Sequence, residues 1–378
     1  MTSWLDTLNG IEALEVAEFD PALVGAFEER SARLPGAASC RVSFYVPTFK
    51  AYATSEITGC GKNAWPAVSI TGPECKLQCD HCKAKLLEPM IPATTPEALW
   101  RVVNEQLAAG ARGMLLSGGS NHRDEVEYGP FLPTIRRIKD ASPDFRIAMH
   151  TALVTRDQAR RIEAAGIDAA MLDIIGAQDT VRQVYHLRRP VADFEASLAH
   201  LAETSLKVVP HIVIGLHYGQ LLGEWSALDM IRRHKPAAVV LVVIMPFYAP
   251  AKRPFAVPSS RAVGRFFMDA RAALPDVPAL LGCARPPGRA KVEIDAYAVM
   301  AGLNGIAHPS DGTVALAARL GRSVRVTPAC CSIALGDEVL ALDAGRDALA
   351  IDVGEFLRRE AERPRSPGRL ARIRVVTA

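Results

Sequence analysis

Short apolar segments rich in β-branched residues recur along most of this chain, and helical segments separate them. Eight such segments begin at residues 67, 113, 146, 169, 208, 239, 279 and 304, and they read AVSIT, GMLLS, RIAMH, AAMLDII, VVPHIVIG, VVLVVIM, ALLGC and NGIAH. Buried strands that alternate with helices are typical of a parallel sheet, and a closed barrel uses eight such repeats. The sequence therefore predicts an α/β fold with a full or nearly full TIM-like β/α barrel.

Two of the intervening segments show the helical period clearly. After the first strand, apolar residues recur at helical spacing, and Thr94 with Glu97 forms a candidate capping box at the start of that segment. Residues 259–274 carry an apolar stripe that includes Phe266 and Phe267. A stripe of this kind packs into a core more often than it lines a ligand site, so we expect both helices to cover the sheet.

The repeat divides the chain into three parts. Residues 1–60 precede it and are an N-terminal extension, residues 61–320 hold the barrel, and residues 321–378 form a C-terminal segment. That last segment contains a Cys-Cys-Ser run and ends in a basic, proline-broken tail. Charge runs with proline seldom join a core, so a solvated end is expected, with a docking role as the alternative.

Composition narrows the classes of partner. The 378 residues are 49% hydrophobic, which is enough for a sizeable core, and 44 Lys and Arg against 41 Asp and Glu leave a net charge of only +3. A balance this even argues against nucleic acid or an anionic membrane as the main partner. The longest apolar run, residues 237–245, is about half of what a bilayer needs, and the N-terminus lacks the pattern of a secretory signal. We expect a cytoplasmic protein.

Three cysteines lie close together directly after the first strand. Cys75, Cys79 and Cys82 form a Cys-x3-Cys-x2-Cys pattern within PECKLQCDHC. Three thiolates can hold three irons of a 4Fe–4S cube and leave the fourth iron open for another ligand. A structural zinc site, with His81 or a distant residue as the fourth donor, is the alternative. The end of a barrel strand is where active sites are built, which favours the iron–sulfur interpretation.

On this loop the chain resembles the radical S-adenosylmethionine (radical SAM) enzymes. The resemblance implies that the open iron binds the amino and carboxylate groups of SAM, and that an electron from the cluster cleaves SAM to a 5'-deoxyadenosyl radical. It also implies an electron donor such as ferredoxin or flavodoxin. The rest of the barrel is then expected to hold SAM.

Further motifs of the family match positions in this chain. Ser117, Gly118 and Gly119 correspond to the glycine-rich segment whose backbone contacts the SAM amino group, although a plain turn has the same sequence. Asp173 corresponds to the position that contacts the ribose hydroxyls, and its alternative role is that of a hydrogen-bonded residue at a strand end.

The adenine-binding positions match less completely. Ile214 and Gly215 resemble the segment that contacts adenine, and Glu224 is expected to start the following helix. The residue before the third cysteine is commonly aromatic in the family and stacks on adenine, whereas this chain has His81, whose imidazole can also stack.

A longer resemblance narrows the family. The segments WPAVSITGPECKLQCDHCKAKLLEPM, LLSGGSN, MHTALV, LDIIGAQDTVRQVYHL and VPHIVIGLHYGQLLGEWSAL, between Trp65 and Leu228, are similar to the two-protein lipoyl synthases first associated with archaea. Such enzymes are inferred to insert sulfur at carbons 6 and 8 of an octanoyl chain on a lysine of a lipoyl carrier protein, with a related second radical SAM subunit.

Other functions fit the same loop. Within radical SAM chemistry, the alternatives are biotin synthase-like sulfur insertion and methylthio transfer. From other classes, the alternatives are a zinc-stabilised binding module and an electron carrier.

Sulfur insertion needs a sulfur donor, and related enzymes sacrifice a second 4Fe–4S cluster for it. The candidate ligands outside the first loop are Cys40, Cys60, Cys283, Cys330, Cys331 and Ser332. The Cys-Cys-Ser run resembles, in its placement, the serine-bearing C-terminal segment of the single-chain lipoyl synthase. The alternative is that some of these cysteines are small buried apolar residues.

Four further polar residues lie at or near predicted strand ends, namely His150, His211, His217 and Arg285. They are candidates for binding the substrate or the SAM carboxylate. Their alternative role is that of polar residues hydrogen-bonded within the core or at its rim.

Overall fold

The computed structural model describes residues 3–33, 41–47, 54–57, 64–245, 252–327 and 329–333. An 11-stranded parallel sheet organises them, in the order β11-β1-β10-β9-β8-β7-β6-β5-β4-β2-β3. The strands are β1 (Arg41–Tyr45), β2 (Ala67–Ser69), β3 (Ile91–Pro92), β4 (Gly113–Ser117), β5 (Arg146–His150), β6 (Ala169–Asp173), β7 (Lys207–Ile214), β8 (Val239–Val243), β9 (Ala279–Leu281), β10 (Gly305–Ala307) and β11 (Ser323–Thr327).

The eight strands predicted from the sequence are β2 and β4 to β10, and they lie side by side in chain order. Because β3 and β11 end the sheet and do not pair with each other, the barrel is open. The predicted β/α barrel is therefore confirmed in the form of a partial barrel.

Three strands were not predicted. β1 comes from the N-terminal extension and pairs in parallel with both β10 and β11, and β11 comes from the C-terminal segment. β3 has only two residues and pairs with β2. The extension and the C-terminal segment therefore complete one edge of the sheet that carries the barrel.

Two helices precede β1 and others separate the later strands, and most of them pack on one face of the sheet. They are α1 (Trp4–Asn9), α2 (Pro21–Arg33), α3 (Pro96–Ala108), α4 (Leu132–Ala141), α5 (Arg156–Ala164), α6 (Gln178–Gln183), α7 (Ala192–Ala202), α8 (Glu224–Arg233), α9 (Ser260–Ala273), α10 (Arg289–Met300) and α11 (Thr313–Arg319). Within the described ranges, no helix is long and apolar enough to cross a membrane.

The two helices singled out in the sequence are present. The N-cap of α3 is Thr95, whose hydroxyl accepts a hydrogen bond from the Ala98 amide at 3.1 Å, so the cap lies one residue after the predicted Thr94. In α9, Phe266 and Phe267 are fully buried, as a core-packing stripe requires.

The two faces of the sheet pack differently. Alternate residues of a strand point to opposite faces, and in β5 the side chains of Ile147 and Met149 pack with the helices while Ala148 packs on the other face. On this second face, which we call the concave face, residues 329–333 of the C-terminal segment contribute Ala329, Cys331 and Ile333. The segment thus fills part of the interior of the open barrel.

Candidate active site

The three clustered cysteines lie on the connection from β2 to β3, residues 73–90, which we call the cluster loop. Cys79 is buried, Cys75 and Cys82 are half-buried, and all three are free thiols. The backbone is turned sharply by left-handed conformations at Gln78, Lys83 and Ala84. The three cysteines therefore pack against an apolar cluster of the protein.

The loop favours a thiolate at Cys82. A hydrogen bond from the Cys79 thiol, followed by the charge of His81, holds the pKa of the Cys82 thiol well below its ordinary value. The same hydrogen bond, with burial, raises the pKa of Cys79. The thiolate is the form in which cysteine binds metals.

The donor set fits a cube with one open corner. Three cysteine sulfurs come from a single loop, and each would bind a different iron, so they need not converge on one atom. In the part of the chain that the structure describes, no group of three or more His, Cys, Asp or Glu side chains is close enough to hold a single metal ion. Cys75, Cys79 and Cys82 are the residues that would hold a 4Fe–4S cluster here.

The glycine-rich end of β4 lies against the cluster loop. The Gly119 amide donates to the Thr71 hydroxyl at 2.7 Å, and the Lys76 amide donates to the Ser120 carbonyl at 2.9 Å. A Cβ atom on Gly119 would lie 2.0 Å from the Glu74 carbonyl oxygen and 2.6 Å from the Cys75 Cα. Glycine at this position therefore permits close contact with the loop that carries the cysteines.

Replacing Gly119 with alanine is expected to displace the cluster loop and to reduce bound iron severalfold, because a backbone atom at 2.0 Å cannot move aside cheaply. Iron and sulfide analysis after anaerobic reconstitution measures the loss. Gly129→Ala is the matched control, since its nearest neighbour would be an Arg161 side-chain atom at 3.6 Å. Equal iron in both variants would contradict the packing argument.

Polar side chains gather at the carboxyl ends of neighbouring strands. Asp173 ends β6, and its carboxylate lies 3.8 Å from Nε2 of His150, which ends β5, and accepts a hydrogen bond from the Tyr185 hydroxyl at 3.3 Å. The His211 ring of β7 lies 5.8 Å from the His150 ring. Burial alone would raise the pKa of Asp173, but the neighbouring imidazole of His150, together with those of His211 and His81, lowers it to about 2. Asp173 is therefore a carboxylate that already has protein partners.

Two residues at this site were not found from the sequence. Tyr185 stacks on His81 with ring centres 5.1 Å apart, and Asp124 is a buried carboxyl that accepts a hydrogen bond from Ser120 at 2.9 Å. Burial raises the pKa of Asp124 to about 6. The backbone of Asp124 is left-handed, with φ of 58°, and no sequence pattern predicts this conformation. The predicted stacking residue His81 is thus paired with an aromatic ring of the protein.

The residues predicted to contact adenine are engaged within the fold. Ile214 ends β7 and is fully buried, and the Gly215 amide donates to the Glu224 carboxylate at 2.7 Å. Glu224 begins α8, as predicted. Ser117 is the last residue of β4, and a Cβ on Gly118 would lie 2.8 Å from Ile70.

The remaining candidates at strand ends also have partners. His217 Nδ1 lies 3.1 Å from the Thr180 hydroxyl, and His211 Nδ1 lies 3.0 Å from the Val209 carbonyl. Arg285 is buried and forms an ion pair with Asp295. Arg285 is therefore hydrogen-bonded within the core.

A second group of cysteines meets on the concave face. Cys283 lies just beyond β9, and Cys330 and Cys331 lie in the segment after β11, yet all three pack in one cluster. The Cys330 and Cys331 thiols share a hydrogen bond, and Cys283 is close enough to add to the raised pKa of Cys331. Ser332 follows Cys331 directly, and its hydroxyl oxygen is buried with no hydrogen-bond partner among the described residues. Cys40 and Cys60, the other two proposed ligands, lie outside the described residues.

Comparison with known proteins gives a family match for the part of the chain that carries the cluster loop. Residues 69–230, from β2 through most of α8, match the model of the Radical SAM superfamily. No curated protein matches the chain at a significant level.

Two solved structures share the fold. Methylornithine synthase (PylB) aligns with a TM-score of 0.51 and 12% identity, over 82% of this chain and 87% of that one. HydG, a maturase of the FeFe-hydrogenase, aligns with a TM-score of 0.54 and 14% identity, over 91% of this chain and 80% of that one. At these identities the likeness concerns the fold alone.

Proposed function

We propose, on the premise that residues 69–230 match the model of the Radical SAM superfamily, that the protein is a sulfur-inserting enzyme of the lipoyl synthase type. The proposed reaction adds sulfur to an octanoyl chain that a lipoyl carrier protein carries on a lysine. The enzyme would work in the cytoplasm, with a related second radical SAM subunit and an electron donor such as ferredoxin or flavodoxin.

The observation that carries the proposal is the meeting of Cys283, Cys330 and Cys331 beside Ser332. Their positions in the sequence are almost 50 residues apart, and only the return of the chain through β11 brings them together. Three thiols and one hydroxyl are a donor set that fits a second iron–sulfur cluster. A donor cluster is what sulfur insertion requires in addition to the cluster that cleaves SAM.

The surroundings of this group suit an uncharged chain. Ala148, Ala169 and Ala307 lie on the same concave face, and the half-buried Leu115 and Val242 pack against them. Small and branched apolar side chains favour a saturated hydrocarbon over a charged substrate. The concave face therefore supports an acyl substrate.

Each part of the site has a distinct role in this proposal. Cys75, Cys79 and Cys82 would hold the cluster that binds SAM, and Cys283, Cys330 and Cys331 with Ser332 would hold the donor cluster. When bound, SAM and the two clusters supply the radical and the sulfur atom. The protein's own contribution is to fix the thiolates, to keep Asp173 ionised at the strand ends and to offer an apolar face to the chain.

The experiment is anaerobic reconstitution of the wild type and of a Cys283→Ala/Cys330→Ala/Cys331→Ala variant. We expect about eight irons in the wild type and about four in the variant, with SAM cleavage retained and no sulfur in the product. Octanoyl-lysine carrier protein is the substrate, and mass spectrometry measures the sulfur gained.

Two results would overturn the proposal. About four irons in both proteins would leave no donor cluster. Sulfur insertion into dethiobiotin, or transfer of a methylthio group, with an unchanged octanoyl substrate, would assign the enzyme to one of the alternative reactions.

A further inference from the structure

A cavity of about 220 Å³ lies on the helix side of the sheet. It is formed by residues 126–130, the start of α4, the end of the segment after β5, and helix α5. Its apolar walls are buried side chains of the core that packs with the helices, namely Val126, Tyr128, Leu132, Val154 and Ile162. Pockets for drug-sized ligands measure about 300–1,000 Å³, so a ligand here is smaller, of the size of a single amino acid.

Two side chains of opposite charge line the same cavity, Arg161 of α5 and Glu127 of the segment that faces it. Both side chains are exposed, and neither has a hydrogen bond or an ion pair with any residue in the described ranges. The two groups are thus not paired with each other. Each can bind a ligand group of the opposite charge.

Helix α5 supplies a second hydrogen-bond donor next to Arg161. Gln158 also lines the cavity, three residues earlier, and side chains at this spacing are neighbours on one helix face. Its Oε1 accepts a hydrogen bond from the Thr155 amide at 2.7 Å in the capping box that starts α5, and its NH2 group remains as a donor. The guanidinium of Arg161 and the amide of Gln158 can therefore hold one carboxylate together.

The other charged side chains of α4 and α5 do not line the cavity. Asp157 and Arg160 are exposed and opposite in charge, so they leave the balance between Arg161 and Glu127 unchanged. The rest have partners of their own, and these pairs are Arg136 with Asp140, Arg137 with the Trp100 ring, Lys139 with Asp168, Arg156 with Glu203 and Glu163 with Ser205.

Residues 124–128 separate the cavity from the candidate active site. The Tyr128 hydroxyl donates to the His150 carbonyl at 2.8 Å, and the Leu153 amide donates to the Asp124 carbonyl at 2.9 Å, so this segment is tied to the end of β5. The Asp124 carboxyl interacts with the charges at the strand ends, whereas Val126 lines the cavity. A ligand in the cavity therefore lies behind the wall of the site and is not the substrate of the radical.

We propose that this cavity binds an α-amino acid with an uncharged, apolar side chain. The ligand carboxylate contacts Arg161 and Gln158, its ammonium group contacts Glu127, and its side chain packs on the apolar walls. A zwitterion matches a cavity with one cation and one anion, whereas a simple carboxylate would be repelled by Glu127. The proposal depends neither on the two clusters nor on sulfur insertion.

The test is calorimetry of L-leucine and L-phenylalanine with the full-length reconstituted protein. SAM is present in excess and no reductant is added, so that the site for SAM is filled and no SAM is consumed. We expect the wild type to bind at least one of the two amino acids, and the Arg161→Met variant to bind it at least about tenfold more weakly. Arg160→Met is the matched control on the same helix, and its affinity should stay within about twofold of wild type.

A second comparison tests the contact with the ammonium group. Isocaproate and hydrocinnamate are leucine and phenylalanine without their amino groups, and we expect the wild type to bind them at least about tenfold more weakly than the amino acids. In a Glu127→Gln variant this preference should fall to about twofold or less, because the carboxylate that attracts the ammonium group and repels a simple anion is gone.

Three results would overturn the proposal. The first is that the wild type binds neither amino acid at millimolar concentration. The second is equal affinity in the wild type and in the Arg161→Met and Glu127→Gln variants, which would place the amino acid elsewhere. The third is equal wild-type affinity for an amino acid and its deaminated analogue, which would assign the cavity to a simple carboxylate. Since neither bound iron nor product is measured, these failures are distinct from a failure of sulfur insertion.

Discussion

Replacing Cys79 with alanine is expected to lower the yield of 5'-deoxyadenosine from SAM by at least about a hundredfold. Loss of a group that only supports a metal ligand lowers metal affinity or activity about tenfold to a hundredfold, so loss of a ligand itself should cost more. Cys79 is the most buried of the three cysteines on the cluster loop. With two thiolates left, the cube loses a corner ligand on the buried side of the loop. Chromatography after treatment with a chemical reductant measures the product directly.

The matched control is Cys331→Ala. Cys331 is also a small buried thiol, with 4% exposure against 5% for Cys79, so both changes remove a similar apolar volume. We expect the Cys331→Ala variant to keep SAM cleavage near the wild-type level, because that residue lies on the concave face. Undiminished cleavage in the Cys79→Ala variant would contradict the assignment of the first cluster.

The strands of the barrel were predictable because their signal is local. A run such as Val239–Val243 is apolar throughout and is buried on both faces of a parallel sheet, so the pattern is visible without any partner strand. β1 gave a weaker signal. It is a five-residue segment whose place beside β10 is set by residues more than 250 positions away. Pairing of this kind depends on the whole chain and not on a window of sequence.

In the candidate site, too, residues close together in the chain could be predicted, and residues that only the fold brings together could not. The spacing of Cys75, Cys79 and Cys82 could be read directly, because all three ligands lie on one loop. The hydrogen bonds of Asp80 with His186 and Tyr218 could not, since His186 is 106 residues away and Tyr218 is 138 residues away. His186 and Tyr218 also have left-handed backbones, which non-glycine residues seldom adopt and which only the packed structure explains.

The glycine motif shows how one pattern serves two purposes. The predicted role of Gly119 is close backbone contact with SAM, and the structure shows close contact with Glu74 and Cys75. Both roles require the absence of a side chain, so the sequence alone cannot separate them. Contact with SAM remains a prediction for Ser117, Gly118 and Gly119, while the contact with the cluster loop is observed.

Breaking the buried ion pair between Arg285 and Asp295 is expected to cost about 3–5 kcal/mol of unfolding free energy. Both side chains are fully buried, and Arg285 also donates to the carbonyls of Gly282 and Ala307 at 2.8 and 2.7 Å. An Asp295→Leu variant leaves the guanidinium without its carboxylate partner. Urea unfolding of Asp295→Leu, Arg285→Met and the double variant measures the coupling, and we expect the double variant to lose well under the sum of the single losses.

The pH dependence follows from the charge of Asp295. Burial alone would raise its pKa, but the charges of Arg285 and Lys291 outweigh burial and lower it. A carboxyl whose pKa is lower in the folded state stabilises the fold above its unfolded pKa, and this stabilisation is lost as the pH falls through the folded value. Wild-type stability should therefore fall in acid more steeply than that of the double variant. Parallel curves for the two proteins would contradict this role.

The same pair bears on the proposed donor cluster. The carbonyl of Gly282 accepts a hydrogen bond from Arg285, so the guanidinium holds the backbone immediately before Cys283. Arg285 donates five hydrogen bonds, of which one goes to Gly282, two to Asp295 and two to the carbonyls of Ala307 and His308, so the backbone before Cys283 is tied to the end of β10 through one buried side chain. The Arg285→Met variant is measured without urea, at a pH where it stays folded. Its bound iron should fall from about eight to about four while SAM cleavage persists. Loss of both together would show that the pair supports the whole sheet and not the donor site.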